Sequence, residues 1–164
     1  MQNGRRVEEG RRSQHGVTYL EMIATATIVM ILASAILPLA RIGRTRQKEL
    51  ELRRTLRDVR NAIDRYRDDV EKGLIGGADV KLGSEGYPPD LETLVKGVNR
   101  VGSVDRKLKY LRRIPMDPLT GTAEWGQRCY QDEPDSTSWC GQNVWDIYTK
   151  STAKALDGTL YVEW

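Results

Sequence analysis

Residues 16–40 read GVTYLEMIATATIVMILASAILPLA, and this stretch sets the fold of the chain. No charged side chain occurs from Met22 to Ala40, although charged residues make up 30% of the whole sequence. A helix needs about 20 such residues to cross about 30 Å of hydrocarbon. The stretch therefore predicts a membrane-spanning helix.

Two other structures are compatible with this stretch. Ala33, Ser34 and Ala35 resemble the small-residue cleavage site of a secretory signal peptide, and a buried core helix is the other alternative. The apolar run is longer than the apolar region of a usual signal peptide, which would also leave Glu21 without a role. A spanning helix is the default expectation.

The segment before Gly16 has the character of a removable leader. It is polar, has no periodic apolar face, and carries Arg5, Arg6, Arg11 and Arg12 against Glu8 and Glu9. Such a segment cannot bury enough apolar surface to offset its ordering entropy. Because Lys and Arg beside an apolar span tend to stay in the cytoplasm, we expect the leader there and the rest of the chain on the opposite side.

Glu21 is the unusual residue at the edge of the apolar run. A carboxylate at this place costs free energy unless it is paired or reaches the membrane surface. Placement at the surface is one explanation. If the chain is cut after Gly16, Val17 becomes the amino terminus, and its ammonium and the Glu21 carboxylate would each seek an opposite charge. A neighbouring subunit could supply that charge.

The pattern Gly16, Val17, Thr18, Tyr19, Leu20, Glu21, followed by the apolar run, resembles the processing signal of the type IV pilin superfamily. The resemblance implies that a prepilin peptidase cuts after Gly16 and methylates Val17. It also implies that Glu21 aids assembly with the adjacent subunit. Val17 departs from the usual Phe. Pro38 stands where many members have a helix-disrupting proline, which removes one backbone donor.

Beyond this stretch, the apolar residues take the spacing of an amphipathic helix. They recur three or four residues apart, with charged residues between them, at Leu52, Leu56, Val59, Ile63, Tyr66 and Val70. Because no glycine occurs between Arg44 and Lys72, one helix is predicted from about Thr18 to about Lys72. Its apolar seam is expected to pack against a small head domain.

The many arginines of this helix could neutralise the phosphates of a nucleic acid. They alternate with acidic residues, however, at spacings that suit ion pairs within a helix. A solvated, ion-paired face is therefore expected, and nucleic acid is not expected as a partner.

Residues 87–95 (YPPDLETLV), 110–121 (YLRRIPMDPLTG) and 145–151 (WDIYTKS) extend the resemblance. Their order is similar to that in the major pseudopilin of type II secretion systems. The resemblance implies an α+β, type IV pilin-like fold, in which a long N-terminal helix packs on a small antiparallel β-sheet head.

Local patterns add detail to this head. Pro88 and Pro89, followed by an acidic first turn and Leu91, predict the start of a short helix. Pro115 and Pro118 predict an extended connection before the first strand. Trp125, Tyr130 and residues 144–148 are the expected strand residues.

The chain has two cysteines, Cys129 and Cys140, and both follow the apolar stretch. In an oxidising compartment they are expected to form a disulfide that contributes about 2 to 4 kcal/mol. Free thiols and a metal pair are the alternatives. The single histidine, His15, lies in the leader, so a zinc site would lack ligands.

Related pseudopilins often bind calcium in an Asp-rich loop that corresponds to residues 149–158. Calcium needs about six to eight oxygen ligands. Asp157 is the only acidic residue in this segment. No cofactor is therefore expected: Asp157 is a weak calcium candidate, and a hydroxyl-rich turn is the alternative.

The sequence gives no support for an enzyme, because it lacks a glycine-rich phosphate loop and its one histidine is in the leader. We expect four parts: a leader (residues 1–16), a transmembrane and assembly helix (17–40), an amphipathic helix (41–72) and a periplasmic head (73–164).

The resemblance implies a structural subunit of a type II secretion pseudopilus, held in the bacterial inner membrane and then in a periplasmic filament. Its expected partners are other copies, minor pseudopilins, the prepilin peptidase, the inner-membrane assembly platform and, before assembly, membrane lipid. A type IV pilin or DNA-uptake pilin is the first alternative. A bitopic membrane protein that never polymerises is the second.

Overall fold

The computed structural model describes residues 16–77, 80–81, 83–103 and 106–164. The side chains of residues 35–39 also lie outside the described part. The predictions for the leader, including its arginines and His15, therefore fall outside the described residues.

The predicted long helix is confirmed as α1 (Tyr19–Glu71), which is 53 residues long. Its backbone remains helical at position 38, so the proline does not end the helix. The Pro38 side chain lies outside the described residues, and its proposed part in assembly stays a prediction. The chain divides into two compact units, of which the first ends at Arg41 and the second is Ile42–Trp164.

Among the residues whose side chains are described, no helix combines the length and the apolar character that crossing a membrane requires. The predicted span therefore stays a prediction.

The second unit is built on the apolar face of α1. The side chains at the predicted spacing are almost fully buried, and the set comprises Leu52, Leu56, Val59, Ile63 and Tyr66. Burying one such side chain contributes about 1.5 to 3 kcal/mol. Val70, the last residue of the predicted seam, is partly buried and packs against this core. The amphipathic pattern thus marks the core face of the head.

A short helix, α2 (Leu91–Lys96), starts at Asp90, whose carboxylate accepts a hydrogen bond from the Thr93 N–H at 2.7 Å. An acidic cap satisfies a backbone donor that a helix start leaves unpaired. Gly97 ends the helix with a φ of 79°. A Cβ at this position would lie 2.7 Å from the Leu108 carbonyl oxygen, so only glycine fits.

Four short strands form two separate antiparallel pairs. Strand β1 (Val98–Asn99) pairs with β2 (Lys107–Leu108), and β3 (Gly126–Arg128) pairs with β4 (Asp146–Tyr148). The head is therefore α+β with small antiparallel sheets, as predicted in outline. The described residues form two sheets and not the single sheet that was predicted.

Three details of the strand prediction were wrong. Strands β1 and β2 precede Pro115 and Pro118, so the connection at these prolines does not lead to the first strand. Trp125 and Tyr130 flank β3 instead of belonging to it. Val144 and Trp145 lie outside β4, and the Val144 N–H donates to the Pro88 carbonyl at 2.8 Å. Strands of two or three residues are too short to show the alternation on which such predictions depend.

A polar cluster joins α1 to the end of the chain. The Arg60 Nε donates to the Asp146 Oδ1 at 2.6 Å, and the Arg60 Nη2 donates to the Trp164 carbonyl at 3.0 Å. Arg128, which is buried, lies 3.6 Å from the other Asp146 oxygen. One carboxylate therefore serves two guanidinium groups in a partly buried place, where the loss of either charge is costly.

We predict that Asp146→Asn lowers the free energy of unfolding by about 2 to 3 kcal/mol, because two arginines lose their shared carboxylate. Urea unfolding of the full chain in detergent, followed by circular dichroism, measures this change. Asp68→Asn is the matched control, since Asp68 forms an exposed pair with Lys72 at 3.7 Å and should cost less than about 0.5 kcal/mol. Equal losses in the two variants would contradict the role of Asp146.

Candidate assembly helix and disulfide-bonded head

The first unit exposes a large apolar surface. Tyr19 is 83% exposed, Leu20 is 77% exposed and Met30 is 72% exposed. Five consecutive large apolar residues, from Ile28 to Leu32, are all exposed. Since successive residues are turned by about 100° around a helix, this surface covers its whole circumference. Apolar surface of this extent marks a site of contact with lipid or with other proteins.

The hydroxyl groups in this segment bond to their own helix. Thr25 donates to the Met22 carbonyl at 3.0 Å, and Thr27 donates to the Ile23 carbonyl at 2.7 Å. Ser34 donates to a carbonyl one turn earlier at 2.7 Å. Because these three hydroxyl protons are used locally, Thr25, Thr27 and Ser34 can enter apolar surroundings without an external polar partner.

Glu21 lies in the first turn of α1, three residues after Thr18. The Glu21 N–H donates to the Thr18 Oγ1 at 3.3 Å, and the Met22 N–H donates to the Thr18 carbonyl at 3.1 Å. Thr18 therefore caps the helix, and the sequence T-x-x-E is the pattern of a capping box. This signal was readable from the sequence but was missed. The observed bond uses the Glu21 backbone N–H, and the contact of its carboxylate with a neighbouring subunit stays a prediction.

Gly16 and Val17 precede the helix, and both are exposed. A Cβ at Gly16 would meet no atom within 4 Å, so packing in the described residues does not require a glycine there. The structure thus leaves the predicted cleavage position accessible.

Cys129 and Cys140 are joined by a disulfide with an S–S distance of 2.00 Å. Asp132 lies beside them, and its carboxylate accepts from the Cys129 N–H at 2.7 Å. Atoms of these three residues lie within 4.8 Å of one another, as metal ligands would. The bonded sulfurs are not thiolates, however, so the oxidised form offers one carboxylate and no sulfur ligand.

Asn143 holds the disulfide loop in place, a role that the sequence did not indicate. This fully buried residue accepts from the Tyr130 N–H at 3.0 Å through its side chain. Its backbone carbonyl accepts from the Trp139 indole at 2.7 Å. These bonds connect both ends of the loop because Tyr130 follows the first cysteine and Trp139 precedes the second.

We predict that reducing the disulfide lowers the free energy of unfolding by about 2 to 4 kcal/mol, since the bond restricts the unfolded chain. Unfolding of the full chain with and without a reductant measures the effect. A Cys129→Ala, Cys140→Ala double variant is the control and should not respond to reductant. An unchanged unfolding midpoint of the wild type on complete reduction would contradict the prediction.

Asp157 forms a hydroxyl-rich turn. One carboxylate oxygen accepts from the Thr159 N–H at 3.0 Å and from its hydroxyl at 2.7 Å. These hydrogen bonds lower the pKa of Asp157, with a smaller effect from Arg53. In the described part of the chain, no second carboxylate joins Asp157 in a group that could hold a metal. The geometry resembles the turn that was the alternative to a calcium site.

Asp117 is a buried carboxylate that the sequence did not single out. It accepts from the Leu119 N–H at 2.8 Å and from the hydroxyl of Thr149. Its own N–H donates to the Thr122 carbonyl at 2.8 Å. Hydrogen bonds of this kind offset the cost of burying a charge. Asp117 thus shapes the turn after Pro115 and attaches it to the segment that follows β4.

Glu49 on α1 binds the C-terminal part of the head through its carboxylate. Its Oε1 accepts from the Leu156 N–H at 2.8 Å and from the Tyr161 hydroxyl at 2.9 Å. Burial, and then the hydrogen bond to Glu49, raise the pKa of Tyr161 to about 12. The native state therefore holds the phenol proton more tightly than the unfolded chain, whose tyrosines have a pKa near 10.

The sign of this linkage predicts a loss of stability at alkaline pH. The contribution of Tyr161 is complete below about pH 10 and is lost as the pH rises toward about 12. Tyr161→Phe should be less stable than the wild type below about pH 10, and the gap should narrow above it. Thermal unfolding across this range measures the gap. Glu49→Gln keeps an acceptor without its charge, so the native pKa of Tyr161 should rise less, and the alkaline loss should be smaller and complete at a lower pH. A constant gap would contradict the prediction.

Comparison of the chain with models of protein families, with curated proteins and with solved structures finds no significant match.

Proposed function

We propose that this protein is a structural subunit of a periplasmic pseudopilus of a type II secretion system. In this proposal, a prepilin peptidase removes the leader after Gly16 and methylates Val17. The subunit waits in the inner membrane and then polymerises through α1. The growing filament moves secreted proteins toward the exterior, and the subunit itself carries out no chemical reaction.

The observation that carries the proposal is the exposed apolar surface of α1 next to Glu21. A helix that is apolar on all sides needs apolar surroundings, which lipid provides before assembly and neighbouring helices provide afterwards. The hydroxyls of Thr25 and Thr27 bond within α1, which suits both environments.

The position of Gly16 also supports processing. It is exposed, lies just before the helix, and is a glycine that the packing does not require. An exposed glycine without a packing role is consistent with recognition by another protein. The disulfide adds support for an oxidising compartment for the head.

Partners follow from this proposal. They are further copies of the chain, minor pseudopilins, the prepilin peptidase and the inner-membrane assembly platform. No specific observation in the described residues favours a DNA-uptake pilin.

Processing is tested by mass spectrometry of the amino terminus of the protein purified from its native membrane. The proposal expects a chain that starts at a methylated Val17. An intact Met1 would refute it.

Assembly is tested with Glu21→Gln, because Gln at the third helical position can still support the capping box while the charge is lost. We predict normal cleavage and a reduction of the pelleted filament fraction by about fivefold or more, since the amino-terminal ammonium of Val17 at the apolar interface then lacks its partner. Thr18→Ala is the control that weakens the cap and keeps the charge. Normal filaments in Glu21→Gln would remove the proposed role of the Glu21 carboxylate in assembly.

A further inference from the structure

An open groove of about 460 Å³ runs along one flank of α1 in the second unit. It is lined by three arginines and three apolar residues, namely Arg53, Arg57, Arg60, Leu50, Leu56 and Trp164. Leu50 is 71% exposed, while Leu56 is buried. The groove therefore combines a basic edge with apolar surface.

The positive charge of the groove is only partly compensated. Arg60 is paired with Asp146, whereas Arg53 lies over the Trp164 ring at 4.1 Å and is 3.9 Å from Asp157. Arg57 donates through Nε to the Arg53 carbonyl at 3.3 Å. Within the described ranges it forms no ion pair.

The opposite flank of α1 carries acidic residues at the same height. Glu51 and Asp58 are exposed, neither forms an ion pair with another described residue, and one exposed arginine, Arg54, lies between them on this flank. Residues seven apart share one face of a helix. At about 100° per residue, Glu51 and Asp58 are turned by about 100° to 160° from Arg53 and Arg57. The buried seam separates the two flanks on the side that faces the head.

We propose that the groove receives the acidic flank of α1, formed by Glu51 and Asp58, from a second copy of this chain. This inference rests on the proposed function and specifies the contact between neighbouring heads. Arg57 pairs with Asp58 of the neighbour, and Leu50 becomes covered.

Because the basic groove and the acidic flank lie on different sides of α1, the same contact can repeat from copy to copy. Opposite charges on different flanks form a contact of two unlike surfaces, so each copy binds one neighbour through its groove and another through its acidic flank. Contacts of this kind do not close on themselves unless the rotation permits a ring, and they build filaments. Both surfaces are present on one chain, which favours a copy over lipid or nucleic acid as the occupant.

A charge swap in the full-length chain, expressed in its native membrane, tests the contact. Arg57→Glu and Asp58→Arg should each lower the pelleted filament fraction by about fivefold, because like charges then face each other. The double variant Arg57→Glu, Asp58→Arg restores opposite charges on the two flanks and should recover most of the filaments. Arg113→Glu is the control, since it changes the same charge at an exposed position away from the groove.

Cleavage after Gly16 is measured in every variant and separates the two proposals. If the wild type is cleaved and forms filaments, unchanged assembly of Arg57→Glu overturns the groove contact and leaves the function intact. If Arg57→Glu fails and the swap does not restore filaments, the partner is not Asp58 of a second copy, and the inference is also overturned. If the wild type keeps Met1 and forms no filaments, the proposed function fails and the contact falls with it.

Other occupants would give a different result. Binding of a DNA duplex or of phosphatidylglycerol vesicles that Arg57→Glu abolishes, while Asp58→Arg assembles normally, would assign the groove to phosphate groups and overturn the contact between copies.

Discussion

Burial of one face of α1 is the constraint on which the head depends. The four strands are two or three residues long and form two separate pairs, which are too small to bury a core between them. Leu52, Leu56 and Ile63 of α1 supply the missing wall and are almost fully buried. The head therefore has no core of its own without the second half of the helix.

Side-chain polar contacts then position the segments that have little regular structure. Asp146 connects α1 with Arg128, and Arg128 donates to the Ser136 carbonyl at 2.9 Å within the disulfide loop. Asn143 also holds the disulfide loop through backbone hydrogen bonds, and Asp117 holds the turn after Pro115 in the same way. Because so few backbone groups are paired in sheets, buried side chains must satisfy the loop backbone.

The first half of α1 has the opposite character. Its apolar side chains are exposed, and its hydroxyls donate to carbonyls of the same helix. Exposure of such a surface to water is unfavourable, and the surface offers few polar groups to a specific partner. Thr18 and Glu21 at its start are the exception, since the Thr18 hydroxyl caps the helix by accepting from the Glu21 N–H and Glu21 adds a carboxylate.

The sequence by itself determined the long helix, its buried seam and the short helix at Leu91, because periodicity and capping act over a few residues. It also indicated the cysteine pair, although the fold had to bring the two Cα atoms to 5.9 Å from each other. The T-x-x-E cap at Thr18 was equally local. Tertiary structure alone decided the strand limits, the shared carboxylate of Asp146 and the buried Asp117. Each of these depends on groups far apart in the chain, such as Arg60 and Asp146, whose meeting no local pattern encodes.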